Sequence, residues 1–174
     1  DLKFVITETG CSWVPPELHK LDAEIAYGKT PGQGQVVFGE AVNGLELSAT
    51  EYFRRNCWIG MSTVRPEEIT MRHDVGVDRL MWGADYPHLE GAVPVHRQTL
   101  RHVFGGLPEP DVRAMLGGNA VDVWGFDADL LQGVADRVGP TVADLATTLA
   151  LDEIPPTFSW SLGRCVPVID GATH

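Results

Sequence analysis

The group best placed to do chemistry in this sequence is a carboxylate, Asp85, in the run Leu80-Met81-Trp82-Gly83-Ala84-Asp85-Tyr86-Pro87-His88. An apolar strand that gives way to a permissive Gly-Ala turn, stiffened by a nearby proline, sets that carboxylate at the C-terminal rim of a sheet. That rim is where α/β barrels and open α/β sheets build their active sites. An aspartate there can ligate a divalent ion or take the proton from a metal-bound water. Its competing role is structural, capping a turn or pairing with an arginine. Glu8 closes an earlier strand-like run, Phe4-Val5-Ile6-Thr7, in the same manner. It is placed to orient a ligand or a water, or only to mark the end of the strand. His88 lies just past Asp85 and can bind substrate or donate a proton near neutral pH, unless its ring is tied to the loop backbone. Trp13, in the loop after the first strand, is a candidate wall of a substrate pocket, although tryptophan more often packs in a core.

The other histidines, His19, His73, His96 and His102, fall on expected helices, where surface or core roles prevail, and no H-x-H or H-E-x-x-H spacing occurs. The triplet Gly28-Lys29-Thr30 imitates the end of a phosphate-binding loop. The first glycine of such a loop would stand at position 23, which is Ala23, and the triplet follows a helix, so the nucleotide reading fails.

These side chains must be positioned by elements that the pattern of apolar residues outlines. The chain has 174 residues, 44% apolar and 21% charged, which suits one domain or half of a larger one. A formal charge of −11 without a basic stripe argues against nucleic acid as a partner. No apolar run is long enough to cross a bilayer and no signal peptide opens the chain. Cys11, Cys57 and Cys165 are odd in number and widely spaced, which favours reduced thiols and a cytoplasmic location.

Residues 2–7 read as a strand. Val14, Leu18, Leu21 and Ile25 mark one face of a helix with Ser12 as N-cap and Gly28 as its stop. Residues 29–44 read as a Gly-rich excursion, Ser48 to Asn56 as a short polar helix, and Cys57-Trp58-Ile59 as an apolar segment. A helix runs from Pro66 to Gly76, and a second strand covers 79–82. Leu100, Val103, Phe104 and Leu107 mark the next helix face; Val112, Met115 and Leu116 mark another that runs towards Asn119 and Trp124. Asn119 is suited to tie a helix end to the sheet. Beyond Asp127 two amphipathic stripes follow, Leu131/Val134/Val138 and Val142/Leu145/Ala146/Leu149, the second behind a Thr141/Asp144 capping box. The tail after Pro155-Pro156 has little periodicity.

Strands alternating with helices indicate an α/β protein with parallel strands. Two strands cannot bury a parallel sheet on both faces. The chain also opens on Asp1 and runs at once into Phe4-Val5-Ile6, read as buried strand. The expectation is a C-terminal piece of a longer protein, packed against a complementary N-terminal segment or a partner chain and oligomeric for that reason.

The run Asp78-Arg79-Leu80-Met81-Trp82-Gly83-Ala84-Asp85-Tyr86-Pro87-His88-Leu89-Glu90-Gly91 resembles the last barrel strand of the amidohydrolase-related family. Glu8-Thr9-Gly10 with Trp13-Val14-Pro15 and Leu21-Asp22 agrees with that likeness. So do Glu51 to Asn56 before Trp58, and Asn119-Ala120 with Gly125-Phe126-Asp127. The family comprises metal-dependent hydrolases and non-oxidative decarboxylases. The resemblance implies the C-terminal part of a (β/α)8 TIM-type barrel, with residues 3–8 as strand 7, 79–84 as strand 8, and flanking helices. On that reading residues 1–127 belong to the barrel and 128–174 form a helical extension with an irregular tail.

What the resemblance implies for chemistry centres on Asp85 as a metal ligand and proton acceptor. The metal would be zinc first and manganese second, with the remaining ligands upstream of Asp1. Glu8 and His88 would assist, acting on a small-molecule substrate. In decarboxylase members the seventh strand ends in a catalytic histidine; the presence of Glu8 there favours hydrolysis over decarboxylation. A non-catalytic scaffold that keeps the fold is the reading outside the enzyme class.

Overall fold

The computed structural model describes residues 2–32, 41–62, 64–88, 91–154, 158–159 and 164–165. Leu89 and Glu90 of the strand motif, half of the 29–44 excursion and most of the tail after Pro155 lie outside the described residues.

Three parallel strands form the sheet, in the order β1 (Phe4–Thr9), β2 (Cys57–Met61), β3 (Leu80–Trp82). The apolar segment at Cys57 is therefore a full strand, and it lies between the two expected from sequence. This corrects their assignment as consecutive strands 7 and 8: they are separated by a strand that pairs with both. Trp58 and Ile59 favour extended backbone, and Ile59 and Met61 are completely buried. The shortness of the run and its Gly60 conceal the strand in the sequence.

Register fixes the faces. Ile6 pairs with Ile59 and Ile59 with Leu80, so these side chains share the face that the helices cover. Ile59, Met61 and Leu80 pack there with Cys11, Val14, Phe53, Leu100, Phe104 and Met115. The opposite face carries Val5, Trp58 and Met81 near the N-terminal ends of the strands, closed by Val123 and Ala120. β1 has no further strand beyond it among the described residues, and Phe4 and Ile6 are 53% and 39% exposed rather than buried as expected.

The crossover from β1 to β2 contains α1 (Val14–Gly28) and α2 (Ala49–Asn56). Pro15 and Pro16 open α1, but Ser12 does not cap it. Asp22 accepts from the Thr50 N–H at 3.1 Å and the Thr50 hydroxyl at 2.6 Å, clamping the two helices together. Ser48 and Glu51 close a capping box on α2. The helix expected from Pro66 to Gly76 is two short turns, α3 (Pro66–Ile69) and α4 (Arg72–Val75). Between them the Thr70 hydroxyl bonds the Glu67 carbonyl at 2.6 Å, diverting it from helix continuation.

After β3 come α5 (His96–Phe104), α6 (Glu109–Arg113), a wide π turn over Ala114–Gly118, and α7 (Asn119–Trp124), which stops at left-handed Gly125. Asn119 is buried and donates to the carbonyls of Val77 and Leu80, both at 2.7 Å, tying α7 to the start of β3.

Helix α8 (Ala128–Val138) carries its apolar stripe outward, with Leu131, Val134 and Val138 all exposed. The second stripe forms only one 3₁₀ turn, Ala143–Leu145, behind the expected Thr141/Asp144 box. Its next carbonyls are diverted to α5 and the turn after it. Leu145 O accepts from Gly106 N–H, and Thr147 O and Thr148 O accept from Arg101, which also pairs with Glu153.

Replacing Asn119 with alanine removes both hydrogen bonds to the Val77 and Leu80 carbonyls. The expected loss is about 2 kcal/mol of stability, read as a lower urea midpoint at unchanged m-value.

Candidate active site

Parallel pairing brings the C-terminal ends of all three strands to one edge of the sheet. Two non-glycine residues among those described have left-handed backbone, Glu8 at φ 58° and Asp85 at φ 54°, and both stand at that edge. An L-residue there costs about 1–2 kcal/mol relative to ordinary backbone, so surrounding structure must hold it.

Glu8 is held by a bulge. Thr7 pairs with Gly60 and Thr9 with Met61, leaving Glu8 as the extra residue, exposed at the rim. Asp85 is held by its loop. The His88 N–H donates to Asp85 O at 2.8 Å, and the Ala92 N–H to Ala84 O at 2.9 Å. Gly91 closes the loop so tightly that a Cβ there would meet Asp85 O at 2.7 Å. The Asp85 carboxylate is 24% exposed, and its Oδ2 lies 3.6 Å from His88 Nδ1.

Sequence reasoning thus places Asp85 and His88 together, and the structure makes them a pair. Glu8 stands two strands away, about 10 Å between strand axes from the usual spacing, so it faces the same edge from the far side of β2.

The loop that follows Glu8 is fastened by a residue the sequence does not advertise. The Glu68 carboxylate accepts from Ser12 N–H at 3.2 Å, Ser12 Oγ–H at 2.7 Å and Arg65 N–H at 3.1 Å. The space a side chain would need at Gly10 is filled by that carboxylate, so a larger residue there would have to displace the Glu68 latch. Burial alone would raise the Glu68 pKa, but these bonds outweigh it and hold the carboxyl below its ordinary value. Trp13 donates its indole N–H to Thr9 Oγ1 at 3.1 Å and Gly10 O at 3.0 Å, so its polar edge braces the same loop. Its ring remains 36% exposed.

Cys11, inside the loop, is fully buried, and burial first and the Glu68 charge second push its thiol up to about 12, which makes it an inert packing group.

Two polar atoms near this end of the sheet escaped the sequence reading. The Ser62 hydroxyl, just past β2, and His96 Nδ1, in the first turn of α5, are buried without a hydrogen-bond partner among the described residues. Neither has a sequence signature, because burial of a single atom depends on packing between distant segments.

Among the described residues no three His, Cys, Asp or Glu side chains converge as a metal site. Asp85 and His88 supply two donors at most, and a catalytic zinc needs about three from protein. The described residues do not by themselves complete a site for such an ion.

The amidohydrolase family's sequence model matches residues 1–126. No curated protein matches the chain. No helix among the described residues is long and apolar enough to cross a membrane.

The Glu68 latch has a definite pH signature. Its folded pKa lies below the unfolded value, so its contribution is present above the unfolded carboxyl pKa of about 4.3 and is lost as pH falls through the lower folded pKa. Glu68→Gln is expected to lower the melting temperature near neutral pH, with the gap to wild type narrowing as pH drops through that range. Thermal unfolding at several pH values checks this.

Proposed function

Because this chain belongs to the amidohydrolase family, we propose that it supplies the C-terminal strands of a (β/α)8 barrel whose catalytic edge carries Asp85, His88 and Glu8. On this proposal residues 1–127 are barrel and 128–174 an extension, β3 is the last strand, and β1 is the third from last. The observation that carries the reading is the pair of left-handed carboxylate residues, Glu8 and Asp85, at the same end of one parallel sheet. Strained backbone at a strand end is retained where it aims a functional side chain.

The reaction proposed is hydrolysis of a small organic substrate by an activated water. Asp85, partly shielded and beside His88, accepts the proton of the attacking water. His88 is placed to pass a proton to the leaving group, and Glu8 orients water or substrate from across the edge. Trp13 lines the approach above the loop it braces. A divalent ion, zinc first and manganese second, would take Asp85 as one donor and its other ligands from sequence outside the described residues. The open edge of β1, with Leu2, Phe4 and Ile6 exposed beside it, supports a further strand from an N-terminal barrel segment or a partner chain.

The test is a screen of the protein, with whatever its gene encodes upstream of Asp1, for both ester or amide hydrolysis and carbon dioxide release. Asp85→Asn keeps a residue that tolerates left-handed backbone, so the fold is expected to survive while turnover falls at least about 100-fold. Hydrolysis lost in the variant supports the proposal. Carbon dioxide release as the sole activity moves the reaction to decarboxylation. Full turnover in Asp85→Asn, or none in wild type, overturns the proposal.

A further inference from the structure

Helix α8 (Ala128–Val138) is amphipathic, yet it buries no face. Leu130, Leu131, Val134 and Val138 form one stripe, Asp129, Gln132 and Asp136 lie opposite, and every residue of the helix is exposed. A helix of 11 residues is marginal in water by itself, because few hydrogen bonds offset the ordering of its backbone. Both of its ends are nevertheless fastened. The Phe126 N–H donates to Val121 O at 3.2 Å, and Asp127 accepts from the Leu130 N–H at 2.9 Å. At the far end Arg97 donates to the carbonyls of Val138 and Gly139 at 3.3 and 3.2 Å. The stripe is held in place with its apolar side chains still exposed. It also continues past the helix: Trp124 and Phe126, with ring centroids 5.7 Å apart, are exposed before it and Val142 after it.

Charge decides what fits this strip. Asp127 stands at its start, and Arg137 lies on its margin at the far end. Antiparallel pairing of two such helices sets each Arg137 beside the other copy's Asp127 and opposes the helix dipoles. Parallel pairing sets like against like. The antiparallel arrangement also brings each copy's Trp124 towards the other's Val142, so the strip complements itself. An anionic lipid surface fits poorly, since the polar face carries Asp129 and Asp136 where such a helix needs basic residues.

We propose that α8 is a self-association helix that pairs antiparallel with α8 of a second copy of this chain. Leu131 of each copy packs against Val134 of the other about a two-fold axis. The helix is about 16 Å long, and its pair covers less than the roughly 800 Å² per partner of a standard interface. The net charge of −11 on each chain opposes association as well, which sets the dimer in the micromolar range.

Sedimentation equilibrium over a concentration series, combined with thermal unfolding of dilute samples, tests this on the protein with whatever its gene encodes before Asp1. Wild type is expected to dimerise reversibly. Leu131→Lys and Val134→Lys, each burying a charge in the seam, are expected to weaken the dimer at least about 100-fold. Arg137→Glu, which faces two acids with acids, is expected to weaken it about tenfold. All three variants are expected to melt with wild type when dilute, because the altered side chains are exposed in the single chain.

Wild type that stays monomeric at about 1 mM overturns the proposal. So does an oligomer unchanged in both lysine variants, which places the contact on another surface. A lower melting temperature in the dilute lysine variants assigns the stripe to a segment of the same chain and overturns it too. A dimer as tight in Arg137→Glu as in wild type overturns the antiparallel pairing.

Discussion

The parallel pairing of β2 with both β1 and β3 is the constraint from which the rest of the molecule follows. A parallel pair requires a crossover, and each crossover here is helical, so the crossover helices collect on one face and bury Ile59, Met61 and Leu80. The same pairing points all three strands one way. Glu8, Ser62 and Asp85 are far apart in sequence, yet each ends a strand or follows one at the same edge. A one-residue slip of β2 would turn Ile59 and Met61 away from the core, so hydrophobic burial also fixes which residues reach that edge.

At the edge, local strain is held by bonds a short distance behind it. Glu8 projects from a bulge whose following loop is fastened by Glu68 and braced by Trp13. Asp85 projects from a loop closed by the Ala92 and His88 amides and by the close approach of Gly91. Glu8 is exposed and its loop rests on the half-buried Glu68, while Asp85, 24% exposed, rests on the buried Gly91 and Ala92. That division lets a side chain be aimed without being packed.

Much of this arrangement is legible in the amino-acid order. β-Branched runs reveal β1, the Gly-Ala-Asp turn reveals the edge residue after β3, and apolar spacing reveals α1 and α5. The family resemblance is borne out over residues 1–126. The central strand is not legible, because Cys57 to Met61 is a short run with a glycine whose value lies in room for Thr7. Nor are the interrupted helices: Thr70 withdraws the Glu67 carbonyl, and Gly106 and Arg101 withdraw those of Leu145, Thr147 and Thr148. Ser12 illustrates the same limit. Its type and place suit an N-cap, but its hydroxyl and amide go to Glu68 from a distant segment. Ser62 is invisible in sequence, since serine after a strand is common and only packing leaves its hydroxyl without a partner among the described residues.

The central claim is that the Asp85 edge forms one wall of a site completed by side chains beyond those described. Elemental analysis of the purified protein, with whatever its gene encodes before Asp1, tests this most directly when wild type and Asp85→Asn are compared under matched circular dichroism. The account expects a stoichiometric divalent ion in wild type and its loss in the variant. Equal metal content in both, or none in wild type, would contradict it.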